Sequence, residues 1–356
     1  MTEKEKIIVF LSTEEVSNKK IENILDVAQG FSFEELCKNG EMQKILSADE
    51  FQKIVQKFDR LEFENSLKNI ESAGITILTI YSKNYPKRLI DLPDRPLVLY
   101  AKGDLSLLDK PAVSIVGTRM PTNYGRIVTE KFAGTLAEAG LVVISGLCYG
   151  VDEIAHKKTL EVGGKTIAVV GSGFNNIYPS KNTSLAKEIA EKGLLLSEYT
   201  PSFVPKRYTF PQRNRIVAGL SDGVLITEAG MKSGTVHTKE FALEYGKDVF
   251  AVPGNVYSEK SELPNHLIKT AQAECVLSAD DILDFYGVKK QTAQTKAVEV
   301  SFEEQTILGL LANGERDVDY LAEKSQIPIN ILNSCLTTLE IRGLIRRLPA
   351  QTYAIV

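Results

Sequence analysis

The chain has no tryptophan, three histidines and four cysteines in 356 residues. Without tryptophan, any stacking on a nucleobase falls to Tyr, Phe or Arg. The cysteines (Cys37, Cys148, Cys275 and Cys335) stand singly, with no C-x-x-C pair, so the pattern is neither a disulfide framework nor a zinc site. The scattered histidines give no metal site either. No apolar run reaches membrane-spanning length, so no bilayer crossing is expected. The first residues, "MTEKEKIIVFLSTEE", end their short apolar piece at Leu11 and run on into acids, unlike a signal peptide. No G-x-x-x-x-G-K-[ST] loop occurs, so a P-loop ATPase is not supported. A reduced, cytoplasmic protein without a metal or cofactor is expected.

What is present is ordinary for a soluble globular chain: 43% hydrophobic and 25% charged residues, with a net charge of −4. That mild acidity argues against a blanket nucleic-acid coat, but a phosphate site needs only a few aimed donors. Three textures follow one another. Residues 1–80 hold short helical patterns with Ser and Asp at N-cap positions, and predict a small helical domain. From Lys110, short β-branched strands alternate with amphipathic helices: "AVSIVG", "LVVISG", "TIAVVGSG", "GLLLSE", "DGVLITEA" and "DVFAVPG". That alternation predicts a doubly wound, mostly parallel α/β sheet of the extended Rossmann type over 81–286, with ligands at the carboxyl ends of the strands. A polar stretch, 287–301, reads as a linker. Residues 302–356 predict three helices and a hairpin, the pattern of a winged helix. Its segments hold seven acids against five bases, and the third helix almost lacks Lys and Arg, which favours a protein-interaction or regulatory role over duplex reading.

The loops after five strands share one chemistry. They read "GTRMPTNYG", "SGLCYGVDEIAH", "GSGFNNIYPSKN", "SEYTPSFVPKRYTFPQRNR" and "EAGMKSGTVHT". Gly, Ser, Thr and Asn dominate, with a cation in most of them, and helix N-termini add partial positive charge. Within them Ser145, Gly146, Gly171 and Gly173 are candidates for close approach to an anion. Arg119 is either a phosphate anchor or a loop arginine on a helix-end carbonyl. Asp152 and His156, four apart on one helix, are an acid–base pair or a helix-stabilising contact. Glu198 and Glu228 end strands, where carboxylates orient arginines or bind ribose hydroxyls. In "YTPSFVPKRYTFPQRNR" four aromatics interleave with Lys206, Arg207, Arg213 and Arg215, a composition suited to single-stranded nucleic acid or to packing the loop onto its domain. Arg213 and Arg215 read as one wall of the strand-end pocket, with no need of carboxylate partners.

These pieces, with "YPKRLIDLPDRPLVLYAKGD" and "SGTVHTKEFALEYGKDVFAVPGN", occur in an order that resembles the DprA/Smf family over about Tyr85–Leu283. The resemblance implies a homodimer that binds single-stranded DNA, helps load the RecA recombinase and displaces single-strand-binding protein during recombination, competence and natural transformation. It implies no catalytic activity. It also implies a pocket built from the G-[ST]-R loop (Gly117, Thr118, Arg119), Lys181 beside Asn182, the F-P-x-R-N-R segment (Phe210, Arg213, Asn214, Arg215) and the S-G-[ST] turn (Ser233, Gly234, Thr235). The chain departs from the family pattern at Cys148-Tyr149 and at "LPNHLIKTAQ". The N-terminal part, placed with helix-hairpin-helix-like or SAM-like domains, lacks the glycine hairpin that would suit DNA. The alternative is a nucleotide-hydrolysing Rossmann enzyme of the lysine-decarboxylase-like type, with Glu240 in the place of a catalytic acid.

Overall fold

The computed structural model describes all residues except 29, 39, 289–299, 313, 315, 349–351 and 356. Two compact units result, Met1–Gln291 and Thr292–Val356. The division falls inside the stretch expected as a linker, most of which (289–299) lies outside the described residues.

Among the described residues nine strands form the sheet of the first unit: β1 (Thr76–Thr79), β2 (Val98–Gly103), β3 (Ala112–Val116), β4 (Val142–Ser145), β5 (Thr166–Val170), β6 (Leu194–Ser197), β7 (Gly223–Ile226), β8 (Asp248–Ala251) and β9 (Glu274–Cys275). Their order is β1-β2-β6-β5-β4-β3-β7-β8-β9. From β6 to β9 all pairs are parallel, and β2 runs antiparallel to both β1 and β6. Every residue of β3 to β7 is buried. This is why their sequences are continuously apolar rather than alternating. Successive side chains serve two cores. Val116, Val142 and Ile144 pack with Ile216, Leu220 and Ala242, whereas Val113, Ile115 and Val143 pack with Phe132, Leu136 and Ala155.

The helices that follow β3 and β4 (Asn123–Glu138 and Val151–Glu161) therefore cover one face, and those that follow β6 and β7 (Thr209–Leu220 and Thr235–Glu244) cover the other. β3 and β7 are neighbours, with Val116 opposite Ile226. Their chains leave toward opposite faces, which opens a crevice at their carboxyl ends.

The texture change near residue 80 is not a division of the core. Ile7, Leu11, Ile21 and Leu36 of the N-terminal helices share one cluster with Ile77, Val98 and Tyr100 of β1 and β2. Periodicity located the helices, but the strands that complete their core lie on both sides of the expected boundary.

The second unit has helices Phe302–Leu311, Val318–Ser325 and Ile329–Ile341 and a three-stranded antiparallel sheet in which Thr352–Ile355 lies between Arg316–Asp317 and Ile345–Leu348. This is the winged-helix arrangement. Ile307, Leu321, Leu336 and Tyr353 are in its core. Among the described residues no helix is long and apolar enough to cross a membrane.

Candidate functional site

A cavity of about 700 Å³ occupies the crevice between β3 and β7. Its walls are the Gly117–Arg119 loop, the loop after β4 at Gly146 and Cys148, the start of the Thr209–Leu220 helix, and the loop Gly230–Thr235. Among the described residues four cations face it, Arg119, Arg213, Lys232 and Lys260, together with the carboxylates of Asp152, Glu259 and Glu262.

The first loop is fixed from both sides. The Thr118 amide donates to the Glu228 carbonyl at 2.7 Å, and the Val151 amide donates to the Thr118 carbonyl at 3.2 Å. The buried Glu228 carboxylate accepts from the Thr122 amide at 2.8 Å and from its hydroxyl at 2.7 Å. Thr122 in turn caps the helix Asn123–Glu138 by accepting from the Gly125 amide at 3.2 Å. Glu228 thus orders a loop, not a ribose. The outcome is that Arg119 stands exposed at the rim, with no ion-pair partner among the described residues.

The opposite wall is the S-G-T turn. The Ser233 and Thr235 hydroxyls lie 3.0 Å apart, and the Thr235 amide donates to Ser233 Oγ at 3.2 Å. The helix Thr235–Glu244 starts here, so its partial positive charge faces the cavity mouth. Asn214 braces this turn: its Nδ2 donates to the Gly234 carbonyl at 3.3 Å and its Oδ1 accepts from Arg213 Nε at 3.2 Å.

The two arginines part company. Arg213 is 3% exposed and donates to the Gly146 and Val169 carbonyls, clamping the ends of β4 and β5 under the cavity floor. Gly146 is required for this, because a Cβ there would lie 2.6 Å from the Arg213 Cζ. The glycine serves a guanidinium of the chain itself. Arg215 does not share the wall. It is buried on the other side of the helix, donating to both Glu198 oxygens at 2.6 and 2.7 Å, with Asp94 at 3.5 Å. The expectation that neither arginine needs a carboxylate is overturned for Arg215. Burial works against its charge, but Glu198 and Asp94 outweigh it and hold the group protonated.

Other expected site residues brace rather than line the cavity. The Ser145 hydroxyl donates to the Ile115 carbonyl at 2.6 Å, tying β4 to β3. Buried Asn182 donates to the Leu147 carbonyl at 3.0 Å. Gly171 and Gly173 lie under the 199–210 segment, where Thr209 Oγ1 donates to the Gly171 carbonyl at 2.6 Å and the Gly173 amide donates to the Phe203 carbonyl at 2.9 Å. Lys206 is held by Glu15, 2.8 Å from each carboxylate oxygen. Lys181 lines a neighbouring cavity with Arg119, not the first. Phe210 lines the first cavity, its ring 5.5 Å from that of the exposed Tyr178. Lys232 and Lys260 were not foreseen. Lys232 adjoins the S-G-T turn, a usable signal, whereas Lys260 enters from a distant loop and gave none. Glu240 is exposed, 3.4 Å from His237, and does not line the cavity.

Asp152 and His156 do not pair. Asp152 accepts from the Gly146 and Cys148 amides at 3.2 and 3.3 Å. Burial raises its pKa, against the pull of Arg213. His156 Nδ1 lies 2.7 Å from Thr166 Oγ1, whose proton goes to the Val143 carbonyl at 2.7 Å, so the imidazole donates through Nδ1. Burial, helped by Arg213, pushes the His156 pKa down to about 3. The unfolded chain therefore takes up this proton first. Stability is full above the ordinary value of 6.5 and falls as pH drops from there toward 3, by about 1.4 kcal/mol per unit. His156→Gln should lose about 2 kcal/mol less than wild type between pH 6.5 and pH 5 in urea unfolding. Equal losses would refute a buried neutral imidazole.

Comparison with known proteins places this geometry in a family. The family model for DNA recombination-mediator protein A matches residues 76–287, and the DprA winged helix domain matches 291–351. Protein Smf of Escherichia coli is 35% identical, the alignment covering 82% of this chain and 80% of that protein. The X-ray structure of DNA processing protein A from Streptococcus pneumoniae superposes with a TM-score of 0.71 at 35% identity, covering 80% of this chain and 98% of the other. A structure of DNA processing protein A from Helicobacter pylori, described for its single-stranded DNA binding mode, superposes with a TM-score of 0.55 at 37% identity over 60% and 95% of the two chains. A switch-point cavity with an exposed arginine on the G-T-R loop and a winged helix at the end of the chain thus accompany a sequence that belongs to the DNA recombination-mediator protein A family, the DprA/Smf DNA-processing proteins.

Proposed function

We propose that the chain binds single-stranded DNA in the switch-point cavity and acts, as a homodimer and without catalysis, as a mediator that loads RecA on strands coated by single-strand-binding protein. The observation that carries the reading is Arg119, exposed on a rigid loop, facing the same cavity as Lys232, Lys260 and the start of the Thr235–Glu244 helix. Such an array suits the phosphates of a flexible strand, with Phe210 and Tyr178 beside it for stacking. The cavity's four cations stand beside the carboxylates of Asp152, Glu259 and Glu262, a balance too sparse in positive charge for a duplex coat. The hydrolase alternative loses support because Glu240 stands outside the cavity.

Fluorescence anisotropy with oligo-dT across a salt series tests the binding. Arg119→Ala should weaken it roughly tenfold and lower the log–log salt slope by about 0.7, the value for one phosphate of a single strand. An unchanged slope and affinity would remove the cavity from consideration. Assembly of RecA filaments on coated strands tests the mediator role, and light scattering tests the dimer.

A further inference from the structure

The first helix, Glu3–Thr13, ends in a motif that suits glycine. The Val16 amide donates to the Leu11 carbonyl and the Glu15 amide to the Ser12 carbonyl, both at 3.1 Å, the paired bonds that close a helix through a left-handed residue. That residue is Glu15, with φ +59°. Glycine adopts this conformation without the crowding that a Cβ brings. The carboxylate is also misplaced electrostatically. A helix carries partial negative charge at this end, and the last turn holds no basic residue to balance it.

The side chain is used at a distance. Glu15 accepts from Lys206 Nζ, 2.8 Å from each oxygen, and from the Tyr208 hydroxyl at 3.3 Å. Lys206 holds the Glu15 carboxyl below its usual range. Both members of the pair are close to half exposed, and an exposed ion pair adds little stability. Nor does the contact fasten the backbone of the 199–210 segment, which is tied elsewhere. The Asn175 amide donates to the Pro201 carbonyl at 2.9 Å, Asn176 Nδ2 to the Ser202 carbonyl at 2.8 Å, and Thr209 Oγ1 to the Lys206 carbonyl at 2.8 Å. What Glu15 governs is one ammonium group. That group lies 5.2 Å from the Phe203 ring and 5.7 Å from the Tyr208 ring, on the segment that leads into Phe210 of the cavity. The adjacent Arg207 is exposed and has no ion-pair partner among the described residues.

We infer that Glu15 is an intramolecular latch: its carboxylate takes the place of a phosphate on Lys206 and withholds that cation from a bound strand. The inference rests on the proposed single-stranded DNA binding and adds a control to it. The N-terminal helices set how many phosphates the larger unit neutralises.

The test is anisotropy with oligo-dT against wild type, Glu15→Gly, Lys206→Ala and Glu15→Gly/Lys206→Ala, at several salt concentrations. Glu15→Gly should steepen the log–log salt slope by about 0.7, one further phosphate, and tighten binding about fivefold at about 0.1 M salt. Lys206→Ala alone should leave the wild-type slope unchanged. The double variant should return to the wild-type slope and lose the gain in affinity. If it keeps that gain, removal of a negative charge and not release of Lys206 produced it, and the latch is refuted. The latch also falls, with the cavity untouched, if Glu15→Gly matches wild type in affinity and slope, or if Lys206→Ala lowers the wild-type slope by about 0.7. If wild type binds no oligo-dT, the proposed function falls and the latch with it. Glycine suits the left-handed position and Lys206 is exposed, so all three variants should keep the wild-type fold by circular dichroism.

Discussion

Replacing Arg215 with alanine should destabilise the larger unit by about 3–5 kcal/mol, far more than any rim cation. The substitution leaves Glu198, which accepts two bonds from Arg215, and Asp94, 3.5 Å from Arg215 Nε, without their shared counter-charge. Neighbours cannot replace it. Asn18 reaches Glu198 only at 3.4 Å, and the Tyr245 hydroxyl already donates to Asp94. Arg215→Lys should recover part of the loss, because one ammonium can face one carboxylate but not fork across both. Urea unfolding of the three proteins measures this. A loss below about 1 kcal/mol for Arg215→Ala would mean that the pair is solvated and behaves like a surface ion pair.

The second large effect should come from Gly150→Ala. Gly150 has φ +78° and ψ −123°, a combination that side chains rarely adopt. A Cβ would also press on the loop that carries Arg119, 2.6 Å from the Arg119 carbonyl carbon and 2.7 Å from its oxygen. Strain and collision together should cost about 3 kcal/mol of stability. The loop must shift, so the loss of oligo-dT affinity should exceed the roughly tenfold expected for Arg119→Ala, which removes one charge and leaves the loop in place. If Gly150→Ala binds as tightly as wild type, the position of that loop is not what binding depends on.

Much of this architecture could be read from the residues. Strands buried on both faces have to be continuous apolar runs, so β3 to β8 were legible, and the chain order of strands and helices gave a doubly wound sheet. The errors have physical causes. Arg213 and Arg215 are two apart on a helix, so they point to nearly opposite sides and cannot form one wall. That was present in the spacing. Asp152 and His156 do share a face, but amides of the β4 loop and Thr166 of β5 offered better partners than they offered each other. Lys206 was expected at the site because of its aromatic neighbours; its partner, Glu15, is 191 residues away and left no local trace. β9, two residues long, is below the length at which alternation can be seen.

The N-terminal helices also bear on how this protein could exchange parts with its relatives. Val98 and Tyr100 on β2 face those helices, while Leu99 and Ala101 on the same strand face the sheet's other core. A recombinant gene joined at residue 80 would set one parent's helices on another parent's strand. Functional chimeras should therefore carry their crossover beyond Gly103, with residues 1–103 inherited as one block.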